Sequence, residues 1–131
     1  MPDKNALINR ALKVIKSRDD FDNVQFIILY GSVSENKDQE GSDIDLCVYY
    51  NGNQDEASRF RLETLSELLN DDYDLQIFNH LPLYIRKDVL KGELIYSKEN
   101  YFLHEVAYQT IKEFEDFKKY YYDYIGEEMI T

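Results

Sequence analysis

The sequence predicts a mixed α/β (α+β) fold, in which a small mixed sheet is flanked by helices and followed by a long C-terminal helix. Three observations predict it: apolar residues at helical spacing near both ends of the chain, strand-like runs between them, and turn residues that separate the runs. With 131 residues the chain has the length of one domain. We expect a single domain over residues 1–131, with a core over about 5–97 and a C-terminal helix over about 99–124.

The first half of the chain predicts a helix, which Asp3 can cap, and then two strands. Residues 24–30 (VQFIILY) are a continuous β-branched and aromatic run ended by Gly31, which is typical of a central strand covered on both faces. Residues 43–50 (DIDLCVYY) predict the second strand, closed by the turn signal Asn51-Gly52. The apolar positions of the helix are Leu7, Ile8, Ala11, Leu12 and Ile15.

The second half predicts a helix over 55–70, a strand over 73–78 and a short helix from Pro82 to about Lys91. A short edge strand over 93–96 follows Gly92, and the last helix covers 100–124. We expect the helix over 55–70 to present one stripe, formed by Ser58, Leu62, Leu65 and Leu69. The last helix has a stripe formed by Leu103, Ala107, Ile111, Phe114, Phe117 and Tyr121.

Composition excludes several functional classes. The chain has 26 acidic and 15 basic side chains and a formal charge of −11, which disfavours binding to a nucleic-acid backbone. No apolar run approaches the roughly 20 residues of a membrane span, so we expect no membrane insertion. One cysteine, Cys47, cannot form an internal disulfide, and inside a strand it is typical of a small buried thiol. These features favour a reducing, cytoplasmic setting.

The chemistry is concentrated where the predicted strands begin and end. Gly31-Ser32 follows the first strand, and Asp43 and Asp45 open the second, so alternation projects both carboxylates to one side. Hard oxygen ligands without nearby His or Cys favour Mg²⁺ or Mn²⁺. Asp74 on the third strand supplies a further carboxylate, and three such groups can hold the two metal ions of a phosphoryl-transfer site. The glycine lets backbone N–H groups approach a polyphosphate, and the serine adds a hydroxyl donor.

Gly31-Ser32 followed after ten residues by Asp43-x-Asp45 resembles the signature of the polymerase-β-like nucleotidyltransferases, and the short chain resembles their minimal, MNT-type members. The resemblance implies that Gly31 and Ser32 hold the triphosphate of ATP, that Asp43 and Asp45 bind both metals, and that Asp74 binds one metal and helps to activate an acceptor hydroxyl. Minimal members include the MNT antitoxins of HEPN ribonuclease toxins, some of which modify a toxin tyrosine with AMP. The resemblance therefore implies a HEPN toxin as partner and acceptor.

The loop after Gly31-Ser32 departs from the family pattern. Members often carry an Arg or a Gly there, whereas residues 33–37 read VSENK and are followed by acidic Asp38 and Glu40. Lys37, Arg86 and Lys87 are candidates for the missing cation, and the sequence does not select among them.

Three alternatives to protein modification stay open. They are an enzyme acting on a small molecule such as an aminoglycoside, a domain that silences its partner by binding alone, and a purely structural domain. The Tyr-rich end of the last helix, around 120–124, either packs back on the domain or forms an interface with a partner or a second copy.

Overall fold

A computed structural model describes residues 3–31, 44–69 and 72–130, with side chains described up to residue 124. Helices and strands alternate along most of this length. No helix among the described residues is long and apolar enough to cross a membrane. In chain order the elements are α1 (Lys4–Lys16), β1 (Val24–Tyr30), β2 (Ile44–Tyr50), α2 (Gln54–Leu68), β3 (Tyr73–Ile77), α3 (Leu83–Val89), β4 (Glu93–Ser97) and α4 (Asn100–Ile130).

The four strands form one mixed sheet in the order β3-β2-β1-β4. β1 is antiparallel to both β2 and β4, whereas β2 and β3 are parallel and are joined through α2. The sheet confirms that β1 is central and that β4 is an edge strand. The beginnings of β2 and β3 and the end of β1 consequently meet at one end of the sheet.

Each face of the sheet packs against two helices. Ile27 and Leu29 of β1 join α1 and α2 in one apolar cluster, and Phe26 and Ile28 join α3 and α4 in another. Because successive strand residues point to opposite faces, the unbroken apolar run of β1 supplies both clusters. Asp3 caps α1 as expected, accepting a hydrogen bond from the backbone N–H of Ala6 at 2.7 Å.

The stripe expected for α2 is wrong. Leu62 and Leu69 are 60% and 85% exposed, because the helix is rotated so that Phe60 packs on Tyr50, with 4.9 Å between ring centroids. Small residues beside Phe60 let the helix approach the sheet closely. The buried residues of α2 are Ala57, Phe60, Thr64 and Leu68.

The last helix is longer than expected, and only its first part belongs to the core. Phe102, Leu103 and Val106 pack on the sheet, and Thr110 is buried. Beyond Thr110 the expected stripe is largely exposed, so of the two alternatives for the Tyr-rich end, packing back on the domain does not occur over the described side chains, and an interface stays a prediction. The exposed aromatic residues in this part are Phe117, Tyr120, Tyr121, Tyr122 and Tyr124.

Candidate active site

Two of the predicted carboxylates lie side by side. Asp45 on β2 is the direct register partner of Asp74 on β3, and it is also the partner of Tyr30 on β1. Directly opposed residues of neighbouring strands project to the same face, so Tyr30, Asp45 and Asp74 form a row across three strands. Ile44 and Leu46 point into the opposite cluster, as the alternation predicts.

Gly31 borders this row for a steric reason. Its φ of +78° lies in the left-handed region, and a Cβ at this position would stand 2.6 Å from Oδ2 of Asp45. A side chain here would therefore collide with the carboxylate that the sequence predicts as a metal ligand. The glycine lets the end of β1 and Asp45 approach each other closely.

Two further predicted site residues, Ser32 and Asp43, lie outside the described residues, as does the candidate cation Lys37. Within the described ranges, no group of three or more His, Cys, Asp or Glu side chains has the arrangement of a metal site. Of the three predicted metal ligands, the structure therefore describes Asp45 and Asp74. Their oxygen donors suit Mg²⁺ or Mn²⁺, so this part of the site fits the expected ion.

Asp74 has two polar neighbours that orient it. The amide nitrogen of Gln76 donates to Oδ1 and Oδ2 of Asp74 at 3.3 and 3.2 Å. Arg61 of α2 donates from Nε to the backbone oxygen of Leu75 at 2.7 Å, and its Nη2 stands 4.0 Å from Oδ1 of Asp74. Alternation along β3 puts Gln76 on the same face as Asp74. Sequence reasoning missed Arg61, because its contact depends on how α2 is rotated and no local signal in the sequence gives that rotation.

Two further groups beside the carboxylates remain uncharged. Burial raises the pKa of the Tyr30 hydroxyl above its usual range, with Cys47, Asp74 and Asp45 acting in the same direction and Arg61 opposing. Burial also raises the pKa of the Cys47 thiol, and Asp74 adds to the effect. Cys47 is fully buried, as expected, and its protonated thiol is a packing group and not a nucleophile.

A cavity of about 600 Å³ lies beside Gly31, between the end of β1 and α3. Neither Arg86 nor Lys87, both predicted as candidate cations, lines it. Arg86 points to the backbone oxygen of Leu81 and towards Glu113, and Lys87 lies over the ring of Phe114 at 4.6 Å. The residues that line the cavity include Tyr30, Gly31, Ile85, Asp88, Lys91 and Gly92.

Comparison with known proteins identifies the family. The model of the polymerase beta nucleotidyltransferase family matches residues 12–101. The chain belongs to this family. The match confirms the resemblance, the fold and the reaction class predicted from the Gly-Ser and Asp-x-Asp residues, and the protein is a nucleotidyltransferase.

Individual relatives agree with this placement. The nucleotidyltransferase is 36% identical over 93 residues, 71% of each chain, to a Methanocaldococcus jannaschii protein whose name describes a candidate protein adenylyltransferase. Two solved structures share its fold. One is a toxin–antitoxin with AMP-PNP (TM-score 0.69, 20% identity, 94% of this chain and 98% of that chain). The other is a tri-AMPylated Shewanella oneidensis HEPN toxin in complex with MNT antitoxin (TM-score 0.64, 19% identity, 94% and 95%).

Proposed function

We propose that this nucleotidyltransferase moves AMP from ATP to a hydroxyl of a partner protein, and that the partner is a HEPN ribonuclease toxin which it neutralises as an antitoxin. The observation that carries the proposal is the register alignment of Asp45 with Asp74 beside Gly31. This arrangement concentrates negative charge where a metal-bound triphosphate is handled in two-metal sites. The relative named for protein adenylyl transfer supports a protein acceptor, and the charge of −11 disfavours a nucleic acid.

In the proposed reaction, the predicted site residues have separate roles. Asp43, Asp45 and Asp74 hold Mg²⁺ or Mn²⁺, and Gly31 and Ser32 bind the triphosphate. The metal supplies charge neutralisation at the phosphates when it is bound. The acceptor oxygen forms a bond to the α-phosphorus while the bond from that phosphorus to the bridging oxygen breaks, and pyrophosphate leaves. Asp74, oriented by Gln76, accepts the proton of the acceptor hydroxyl.

The exposed end of α4 is the surface we assign to the partner. Its five aromatic side chains from Phe117 to Tyr124 are each between 48% and 80% exposed. The rings of Phe117 and Tyr121 stack with 6.1 Å between centroids, so part of this surface is already ordered for contact. Tyrosine-rich apolar surfaces are enriched at the centres of protein interfaces. We expect the complex with the toxin to form in the cytoplasm. A second copy of this chain is the other partner that could bind this surface.

Transfer of the α-phosphate label tests the proposal. The protein is incubated with α-labelled ATP, Mg²⁺ and the HEPN protein encoded beside it, or with host lysate where no such gene exists. We expect label on one protein with the wild type and none with Asp45→Asn, whereas Asp20→Asn, in the Arg18 cluster on the other face of the sheet, serves as the matched control. Labelling that survives in Asp45→Asn, or no labelling of any protein by the folded wild type, would contradict the proposal.

A further inference from the structure

The donor nucleotide needs a cation, and of the three candidates named from the sequence Lys37 lies outside the described residues. A triphosphate carries several negative charges, and proteins that hold one usually offer it a Lys or Arg. The other two candidates, Arg86 and Lys87, are turned towards α4, and the loop after Gly31 also carries the acidic Asp38 and Glu40. A basic side chain among the described residues that lines the cavity beside Gly31 can supply the cation.

Lys91 occupies that place. It follows α3, lines the cavity of about 600 Å³ together with Gly31, and its side chain is 70% exposed. The neighbouring Gly92 fixes its position, because a Cβ on Gly92 would stand 2.3 Å from the backbone oxygen of Leu29. Leu29 pairs with Glu93 across the antiparallel strands, so Lys91, two residues before Glu93, lies near the end of β1.

The ion pair between Lys91 and Asp88 is weak enough for a phosphate oxygen to replace the carboxylate. Its Nζ stands 3.8 Å from Oδ1 of Asp88, and both side chains are more than half exposed. An exposed ion pair of this kind contributes little to stability. A phosphate oxygen can therefore replace the carboxylate without disturbing the fold.

We propose that Lys91 is the residue that contacts the β- and γ-phosphates of the donor nucleotide, reaching them through this cavity. The inference rests on the proposed nucleotidyl transfer and assigns the cation of that same site. It makes Lys91 a binding residue for the leaving pyrophosphate group, so its loss affects nucleotides according to their number of phosphates.

Lys87→Ala is the matched control, because Nζ of Lys87 also stands 3.8 Å from Asp88 but Lys87 lies outside the cavity lining. Calorimetry with Ca²⁺ in place of Mg²⁺ measures binding of ATP, tripolyphosphate and AMP. We expect Lys91→Ala to weaken ATP and tripolyphosphate about tenfold, the size of one charge-assisted hydrogen bond, and to leave AMP within about twofold. Lys91→Arg should restore ATP binding, and the KM for ATP should rise in Lys91→Ala more than kcat falls.

Unchanged ATP binding in Lys91→Ala, an equal loss for AMP, or an equal loss in Lys87→Ala would each overturn the assignment. Failure of the proposed function has a different signature. If the wild type binds ATP through Lys91 but labels no protein, the acceptor is wrong and Lys91 stands. If the wild type binds neither ATP nor tripolyphosphate, both proposals fail.

Discussion

Two charged clusters of this protein differ in how closely an arginine approaches its carboxylates. On the side of the sheet covered by α1 and α2, Arg18 is 11% exposed and bonds Asp20, Glu63 and Glu67 at 2.9, 2.8 and 3.4 Å. Its guanidinium also lies over the ring of Phe60 at 5.3 Å. At the candidate active site, Arg61 approaches Asp74 only to 4.0 Å, and each side chain is about one-third exposed (34% and 35%).

The difference is the one expected between an ion-pair cluster that stabilises the fold and the proposed metal site. Burial raises the pKa of Asp20, but hydrogen bonds from Arg18 and Tyr50 outweigh it and lower the pKa overall, as expected for a matched group. Asp45 and Asp74 instead place two like charges side by side on adjacent strands. Such an arrangement favours a bound cation, which is what the proposed metal site supplies.

The largest expected effect comes from one isosteric change made in each cluster. Asp45→Asn should lower the rate of nucleotidyl transfer by at least about a thousandfold, because the amide cannot neutralise a metal ion. Asp20→Asn should leave that rate within about twofold. Single-turnover transfer assays measure both. Similar losses in the two variants would show that the contrast between the clusters is wrong.

The effect on stability should be larger for a change in the Arg18 cluster than for a change at the candidate active site. Arg18→Ala should lower the free energy of unfolding by about 2 kcal/mol, since it removes three charge-assisted contacts and the packing on Phe60. Arg61→Ala should cost about 1 kcal/mol, because it removes one hydrogen bond to the backbone oxygen of Leu75 and a pair with Asp74 that is long and partly exposed. Urea denaturation followed by circular dichroism gives both values, and a larger loss for Arg61→Ala would contradict the comparison.

The variant Gln76→Leu tests the orientation of the Asp74 carboxylate without changing any charge. Gln76→Leu removes the amide that donates to both oxygens of Asp74, and we expect about a tenfold higher Mg²⁺ concentration for half-maximal transfer. Gln25→Leu is the control, since the Gln25 amide contacts only backbone oxygens of Asp22 and Asn23. Titration of Mn²⁺ binding by electron paramagnetic resonance provides a readout that is independent of turnover. Equal Mn²⁺ affinity in both variants would show that Gln76 does not contribute to metal binding.

The smallest effect is a dependence on pH. Since the folded protein lowers the pKa of Asp20, its ion pair stabilises the fold above the unfolded pKa of about 4 and is lost as the pH falls through the lower folded value. Asp20→Asn should therefore lose less stability than the wild type between neutral pH and about pH 3, by under about 1 kcal/mol given solvent screening. Urea midpoints across this range measure it, and parallel curves would contradict it.

The sequence predicts the strands and the faces on which Asp45 and Asp74 lie because a period of two is a local property of an extended chain. Their alignment side by side depends on the pairing of β2 with β3, which is not local. It does not predict which side of α2 is buried, because Ala57, Phe60 and Thr64 form a stripe as regular as the one through Leu62. Arg61 escapes prediction for the same reason, since its contact depends on how the helix is rotated. The roles of Ser32 and Asp43 stay predictions from the family signature.

The projection of α4 gives this small enzyme a reach that its core lacks. Between Thr110 and Tyr124 the helix extends about 20 Å at its usual rise per residue. On the proposed assignment of this surface, a partner held by the aromatic end stays close to the candidate active site, so its hydroxyl groups reach Asp45 and Asp74 at a raised effective concentration. Binding the partner and modifying it are then the tasks of two separate parts of the molecule.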